Sequence, residues 1–181
     1  MRTISGLKEF IYYLEGMGEL QKISMPVACH YEIPAILNKL GGNNAPALLF
    51  ERVKGYTVPI VGNLLGTHRR LALALGISEE DVVQGKGLNL GKRISPFLLN
   101  EENERVILSL NGESDIQEFI PVLKHYEKDS GPFITTGIAS ASDPQSGVTG
   151  RGIHRIEIRG KACLGISLVN PPLSNIYATH K

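Results

Sequence analysis

The chain has 181 residues, 42% of them hydrophobic, and its 19 basic and 18 acidic residues leave a net charge of +1. This length suits one ordinary domain, or a small domain with part of another, and the apolar content is enough to bury a sizeable core. The balanced charge excludes a general electrostatic attraction to nucleic acid or anionic membranes, so any recognition of anions must be local.

The N-terminal sequence has no apolar run of signal-peptide length, and no segment approaches the length of a membrane span. We therefore predict a cytoplasmic protein without nucleic-acid or membrane partners. The two cysteines, Cys29 and Cys163, form no Cys-x-x-Cys or Cys/His cluster, and we expect both to be reduced and buried.

In the first half of the chain, helical and strand patterns alternate. Apolar residues at helical spacing predict a helix over residues 7–14, capped by Ser5, and a second over 33–40. Short apolar stretches are typical of strands: "LQKISMPV", "PALLF" and "YTVPIVGN". Thr67 and Ser78 are predicted to cap two further short helices, so the alternation continues through about residue 85.

The second half of the chain has little helical pattern. Its strand-like segments are "FIPVLKHY", "PFITTGIAS", "IHRIEIR" and "ACLGISLV", and no closing element is predicted after the last one. The fold class is therefore predicted as α/β (α+β), with an N-terminal α/β domain over residues 1–125 and a β-rich domain over residues 126–181.

A turn-rich loop, "DPQSGVTGRG", leads into a strand with charges on one face. A row of charges is common on a solvated sheet face, but the guanidinium of Arg155, just after a glycine pair, also suits a carboxylate or phosphate. The residues alone leave both interpretations open. Because strand side chains alternate, His154, Ile156 and Ile158 fall on one side and Arg155, Glu157 and Arg159 on the other.

Two other kinds of candidate site are weaker. "GNLLGTHRR", residues 62–70, places two glycines before a helix N-terminus, where anions can bind, but it lacks the P-loop and GxGxxG spacings. We therefore favour a structural strand-to-helix turn with exposed arginines. The five histidines show no metal-binding spacing and are expected to be ordinary polar residues.

Three segments carry a more specific signal: "LEGMGELQKISMPV", "PALLFERVKGYTVPIVGNLLGTHRRLALALGI" and "GPFITTGIASASDPQSGVTGRGIHR". Together, in order and approximate spacing, they resemble the UbiD family, the decarboxylases related to polyprenyl-hydroxybenzoate carboxy-lyase. The resemblance implies that residues 126–181 form the first strands of a split β-barrel that binds prenylated flavin mononucleotide (prenylated FMN). It also implies reversible, non-oxidative decarboxylation of an aromatic or α,β-unsaturated acid, in which the flavin takes up the electrons left by the departing carboxylate.

In the family pattern, the loop after Asp-Pro-x-Thr-Gly contacts the flavin and ends in an arginine beside the reacting carboxylate. On this resemblance we predict Arg155 as the catalytic residue. The predicted cofactor-binding residues are Gly152, Ile153, His154, Arg155, Pro171 and Pro172.

The chain departs from the family pattern at the metal site. The family's metal-binding asparagine matches Gly150, and its histidine matches Pro172 or Ser174. Asn170 or Asn175 could supply an oxygen ligand instead, but a carboxamide is a weak partner for manganese or magnesium. We therefore predict no metal-ligating residue here, and no divalent metal such as manganese held in the family's usual manner.

The resemblance also implies a later portion that supplies a third metal ligand, two glutamates and an oligomerisation domain, none of which lies within residues 1–181. We expect a small carboxylic acid as substrate, and either a homo-oligomer or a second UbiD-like subunit that completes the site. The alternative is a non-catalytic, degenerate UbiD-like binding or scaffold module, which the missing metal ligands and acid/base glutamates favour. The retained arginine loop favours the enzyme.

Overall fold

The structure is a computed structural model that describes residues 4, 6–42, 44–86 and 113–180. The predicted combination of helices and strands is confirmed. In these ranges the helices are α1 (Leu7–Gly16), α2 (Glu32–Leu40), α3 (His68–Leu75), α4 (Glu79–Val83), a 3-10 turn (Ile116–Glu118) and α5 (Leu173–Thr179). The strands are β1 (Leu20–Ile23), β2 (Ala47–Phe50), β3 (Ile60–Gly62), β4 (Phe133–Ser142), β5 (Thr149–Gly160) and β6 (Cys163–Ile166).

The chain forms two compact units, each built from segments that are separate in sequence. Helix α2 contributes its first residues to the second unit and its remainder to the first. The division of the chain into domains at residue 125 stays a prediction. The first unit comprises residues 1–26, 36–52 and 59–109, and the second comprises residues 27–35, 53–58 and 110–181.

The first unit contains a mixed three-stranded sheet in the order β1-β2-β3. Strands β1 and β2 are parallel, from Leu20 opposite Ala47 to Ile23 opposite Phe50, and β3 is antiparallel to β2. A parallel pair needs a crossover connection, and α2 lies within it. The side chains of Leu48 and Phe50 are buried, as the continuous apolar run of β2 predicts.

A small apolar core connects α1 with this sheet. Phe10 and Leu14 lie one helical turn apart and cluster with Ala47 of β2. The predicted cap of this helix, Ser5, lies outside the described residues, and Gly6 holds the N-cap position. The amphipathic pattern therefore directs α1 onto the first residue of the buried strand.

The two predicted caps that follow are confirmed. The hydroxyl of Thr67 accepts a hydrogen bond from the backbone N–H of Arg70 at the start of α3, and Gly76 ends that helix with a φ of 67°. The hydroxyl of Ser78 accepts from the N–H of Asp81 at 3.0 Å at the start of α4.

Residues 62–70 form the strand-to-helix turn before α3, but the expectation that both of its arginines are exposed is wrong for Arg70. Its side chain is wholly buried and donates to the carbonyl oxygens of Asn63 and Leu64 and to the carboxylate of Glu19. The physical reason is that carbonyls in a strand-to-helix turn have no ladder partners, and a guanidinium can serve several of them at once. Arg69 remains half exposed and also pairs with Glu19.

The second unit contains an antiparallel three-stranded sheet in the order β4-β5-β6. Ile138 of β4 lies opposite Ile153 of β5, and Ile158 of β5 lies opposite Leu164 of β6. A register shift interrupts the β4–β5 pairing between residues 134 and 137. No closed barrel is formed by the residues that the structure describes.

Three sequence-based expectations about the second unit are wrong. "FIPVLKHY" is not a strand, because Pro121 lacks a backbone donor and the segment makes only the single bridge between His30 and Lys124. A helix, α5, follows the last strand, where no closing element was predicted. Its apolar residues extend over too few positions to indicate a helix from sequence. Cys29 is buried as expected, but Cys163 is exposed, and both are unpaired.

Candidate functional site

Strand β5 divides the predicted site residues between two faces of its sheet. Successive side chains of a strand point in opposite directions, so Arg155 and Ile153 share one face while Gly152 and His154 share the other. The Arg155 face lines a cavity, whereas the Gly152 face is covered by Leu173 of α5. A ligand on one face can therefore meet only part of the predicted set through side chains.

The cavity on the Arg155 face has a volume of about 590 Å³, within the range of small-molecule sites. Charged groups lie along β5, and apolar groups come mainly from β6 and the segment after it. Such a lining suits a flat apolar ligand that carries an acid. The lining residues are Phe133, Arg155, Glu157, Arg159, Leu164, Gly165, Ile166, Ser167, Leu168 and Tyr177.

The guanidinium of Arg155 is held over an aromatic ring. Its central carbon lies 4.2 Å from the centroid of the Phe133 ring, which is close enough for a cation–π interaction. Phe133 is the first residue of β4 and lies opposite Glu157 of β5, so the strand register brings the ring to the arginine. Arg155 as a whole is exposed, and it is one of the residues that line the cavity.

Glu157 is the fixed negative charge of this cavity. Its side chain is only 13% exposed. Its carboxylate accepts hydrogen bonds from the Ser130 hydroxyl at 2.5 Å and from the Arg159 Nε at 2.6 Å. The hydrogen bond from Ser130 is the main reason that the pKa of Glu157 lies below its ordinary value. The hydrogen bond and charge of Arg159 lower this pKa further, and the nearby charge of Arg155 adds to the effect. Glu157 is therefore ionised at neutral pH.

Arg159 can reach Glu157 because Gly165 on the neighbouring strand has no side chain. A Cβ at residue 165 would lie 2.6 Å from the Arg159 Nε and 3.0 Å from its Cζ. The guanidinium thus lies directly against the backbone of β6. The hydrogen bond to Glu157 raises the pKa of Arg159, so the pair remains charged.

The glycines of β5 are packed by the chain itself. A Cβ at Gly152 would lie 2.7 Å from the His154 Nε2, and a Cβ at Gly150 would lie 3.0 Å from the side chains of Leu173 and Pro172. The His154 Nδ1 lies 3.2 Å from the carbonyl oxygen of Ser167. These side chains already fill the space from which a ligand on that face could approach Gly150 or Gly152.

The remaining predicted residues lie at the edges of this arrangement. Ile153 is 74% exposed and lies opposite Ile138, which is 72% exposed, so the two form an apolar pair beside Arg155. Pro171 and Pro172 are joined by a cis peptide bond, and Pro172 is the N-cap residue of α5.

The loop between β4 and β5 is organised by Asp143. Its carboxylate accepts hydrogen bonds from the Ser146 hydroxyl, from the backbone N–H of Gln145 at 2.9 Å and from the His180 Nε2 at 2.9 Å. These bonds, with Ser146 first, hold the pKa of Asp143 far below its ordinary range. The contact with His180 fastens the loop to the end of α5.

The family's metal arrangement does not fit the described residues. Gly150 is buried, and the volume that the family's asparagine side chain would need is taken by Pro172 and Leu173. Among the described residues, no three His, Cys, Asp or Glu side chains come together as a metal site. The absence of a metal-ligating residue stays a prediction for the whole chain.

Sequence reasoning missed two residues of the cavity and the hydrogen-bond partner of a third. Glu157 was placed on the same face as Arg155, but its partner Ser130 lies 27 residues away and gives no local signal. Phe133 could not be assigned to Arg155 because the register shift in β4 has no clear sequence signature. Gly165 lies in a strand interior, where a glycine often marks the close approach of another group, and this signal was available.

Comparison with known proteins places these two units in a family. The family model for the 3-octaprenyl-4-hydroxybenzoate carboxy-lyase N-terminal domain matches residues 11–86, and the model for its Rift-related domain matches residues 100–180. Together the two matches include most of the chain.

None of the helices in the described ranges is long and apolar enough to cross a membrane.

Three solved structures illustrate the similarity. An evolved dimeric form of the UbiD-class enzyme HmfF from Pelotomaculum thermopropionicum, in complex with prFMN, is 31% identical with a TM-score of 0.82, over 95% of this chain and 40% of that one. HmfF in complex with FMN is 30% identical with a TM-score of 0.80, over 95% and 38%. The open form of vanillic acid decarboxylase from Sedimentibacter hydroxybenzoicus is 26% identical with a TM-score of 0.74, over 91% and 37%.

The chain thus spans about 40% of the length of the first of these structures. Two successive domain matches and a shared fold over nearly all of its length lead to one conclusion. This chain belongs to the UbiD family of carboxy-lyases.

Proposed function

We propose that this chain is part of a prenylated-FMN-dependent, non-oxidative decarboxylase or carboxylase that acts on an aromatic or α,β-unsaturated carboxylic acid. The observation that carries the proposal is Arg155, whose guanidinium lies over Phe133 and lines a cavity with an apolar wall. HmfF, which is similar over 95% of this chain, has been solved with prFMN and with FMN. Residues 126–181 are, on this proposal, the first strands of a flavin-binding split barrel.

Arg155 binds and orients the substrate carboxylate. With one face of its guanidinium against Phe133, the N–H groups at the edge remain in position to donate two parallel hydrogen bonds to a carboxylate. The apolar side chains of Leu164, Ile166 and Leu168 then contact the unsaturated part of the acid and exclude water from it.

The cofactor contacts are proposed for Gly152, Ile153, His154, Pro171 and Pro172, together with Arg155. Because Gly152 and His154 face away from the cavity, they would contribute through the backbone of β5. When bound, prenylated FMN supplies the electron sink for loss of carbon dioxide.

Glu157 is unsuited to supply the proton for this reaction. Its pKa is lowered by Ser130 and Arg159, so at neutral pH it is ionised and already accepts two hydrogen bonds. The acid and base are therefore proposed to come from chain outside residues 1–181. A second UbiD-like polypeptide or a homo-oligomer would complete the site, in a cytoplasmic enzyme.

One observation favours a second candidate function, a non-catalytic binding or scaffold module. The position of the family's metal-binding asparagine is a glycine whose surroundings are filled by Pro172 and Leu173. A chain that no longer holds the metal could keep the fold and lose the chemistry. The retained cavity and its arginine weigh against this candidate.

The test uses the protein together with prenylated FMN and with any polypeptide that completes the family's length. We expect a coloured complex with visible flavin absorbance and release of carbon dioxide from an aromatic acid. Arg155→Ala should lower turnover by about a hundredfold or more, as removal of a group that positions the reacting charge does. Arg151→Ala, on the same strand face but outside the cavity lining, is the matched control. A colourless, inactive assembly would support the scaffold module.

A further inference from the structure

The charge of the cavity is set by three groups on one strand face. Arg155 and Arg159 are positive, and Glu157 between them is held in its ionised form by Ser130 and Arg159. The cavity therefore presents one net positive charge to a ligand. One carboxylate is enough to neutralise it.

We propose that Glu157 makes this cavity selective for monoanionic carboxylic acids over dianionic ones, by cancelling one of the two guanidinium charges. The proposal rests on the proposed function in one respect: it takes Arg155 as the group that binds the substrate carboxylate. Glu157 is then a specificity-determining residue.

Glu157 can act this way because it cannot turn away from a ligand. Its side chain is 13% exposed and is held from two sides by the Ser130 hydroxyl and the Arg159 Nε. Arg159 is itself held against β6 by the absence of a side chain at Gly165. A second carboxylate on the ligand would enter a cavity where one negative charge is already fixed and where Arg159 is already paired with Glu157.

The expected size of the effect follows from like-charge repulsion in a partly desolvated site. Near a protein surface, the repulsion between two like unit charges several Å apart lowers the affinity for a ligand by about tenfold or more. The Glu157 charge also repels the single carboxylate of a monoanion bound by Arg155, but it repels both carboxylates of a dianion. The penalty is therefore larger for dianions.

A purely structural role for Glu157 predicts a different result. If it only fastened Arg159 to Ser130, its loss would weaken all ligands by a similar factor. The ratio of the two affinities, and not either affinity alone, separates the two roles.

The experiment compares benzoate, a monoanion, with isophthalate, a dianion at neutral pH, by isothermal titration calorimetry on the full protein. We expect the wild type to bind benzoate about tenfold more tightly than isophthalate. Glu157→Gln, which keeps an oxygen acceptor for Ser130 or Arg159, should bring the two affinities together or reverse their order. Arg159→Gln should widen the difference, because it leaves no net positive charge.

The double variant Glu157→Gln/Arg159→Gln has the wild-type net charge and no fixed negative charge, so its preference for benzoate should be smaller than that of Arg159→Gln. Ser130→Ala retains the Glu157 charge and should leave the ratio unchanged. If Glu157→Gln does not fold, the contrast between Arg159→Gln and the wild type still tests the charge dependence. An affinity ratio that is the same in Glu157→Gln and Arg159→Gln as in the wild type overturns the proposal, as does the absence of benzoate binding to the wild type.

Both titrations are run without flavin, so this measurement is separate from the test of the proposed function. Charge-dependent selectivity in a protein that takes up no prenylated FMN would reject the enzyme and keep the role of Glu157. A working decarboxylase with an unchanged ratio would do the reverse.

Discussion

The guanidinium of Arg155 lies 4.2 Å from the ring centroid of Phe133, the residue that starts the neighbouring strand. A planar cation with one face on an aromatic ring loses rotational freedom but keeps its hydrogen-bonding edge. The residue proposed to hold the substrate is therefore positioned by a side chain of the neighbouring strand, 22 residues earlier in the chain.

Phe133→Leu should weaken binding of benzoate by roughly two- to thirtyfold, because a cation–π contact contributes about 0.5–2 kcal/mol. Phe133→Tyr keeps the ring and should restore most of the affinity. The measurement is titration calorimetry, supported by the NMR shifts of the Arg155 side-chain protons, which the ring current displaces. Ile138→Ala removes an exposed apolar group from the same strand and is the control. Equal affinities for the leucine and tyrosine variants would contradict the positioning role.

Arg70→Ala should lower the free energy of unfolding of the first unit by about 3 kcal/mol, because it removes a buried cation and leaves carbonyl and carboxylate acceptors without their donor. The acceptors are those of Asn63, Leu64 and Glu19. Arg69→Ala removes a half-exposed partner of the same glutamate and should cost less than about 1 kcal/mol. Denaturant unfolding of both variants checks this, and similar losses would show that burial of Arg70 does not matter.

Asp143 should make the stability of the second unit depend on acid pH. Its pKa is lowered in the folded chain by Ser146, Gln145 and His180, so its contribution is present above the ordinary aspartate pKa near 4 and is lost as the pH falls below that value. Unfolding free energy should therefore fall between about pH 5 and pH 2.5. The unfolding free energy of the Asp143→Asn variant should fall less steeply over this pH window.

His180→Ala removes one of the three groups that lower the pKa of Asp143, and it should give an intermediate slope. Part of the acid dependence should persist in both variants, because the pKa values of Glu32 and Glu157 are lowered as well. Identical slopes for the wild type and Asp143→Asn would rule out this origin. Thermal unfolding at a series of pH values is sufficient to decide.

Gly150→Asn, which restores the residue of the family pattern, should not restore a metal site. The new Cβ would lie 3.0 Å from Leu173 and Pro172, so we expect overpacking worth about 1–3 kcal/mol and no gain in manganese affinity. Gly147→Asn is the control, because a Cβ there would meet nothing within 4 Å and asparagine tolerates the φ of 71°. A stable Gly150→Asn variant that binds manganese would disprove the packing argument.

Much of the fold could be predicted from local sequence, because caps and apolar periodicity act within a few residues. Thr67 and Ser78 cap the helices that their spacing predicts, and the alternation in β5 places Arg155, Glu157 and Arg159 along the cavity. The remainder depends on pairing between distant segments. The burial of Arg70 required carbonyls of the preceding turn and a carboxylate 51 residues away, and no local pattern reports such a partner.

The candidate site could be predicted only in part for the same reason. The motif indicated Arg155, but the partners that orient and neutralise the charged row come from other strands and loops, namely Phe133, Ser130 and Gly165. The motif also grouped neighbours such as Gly152 and Arg155 into one set, although a strand directs them to opposite faces.

The charge of the cavity depends on Gly165, a residue that has no side chain and no functional group of its own. Even a methyl group there would displace the Arg159 guanidinium, and Glu157 would lose the cation that shares its charge. Because the obstacle is the end of a flexible side chain, the fold would survive such a change. Substitution of this one residue could thus alter which acids a UbiD-type protein binds, without any change in the arginine motif.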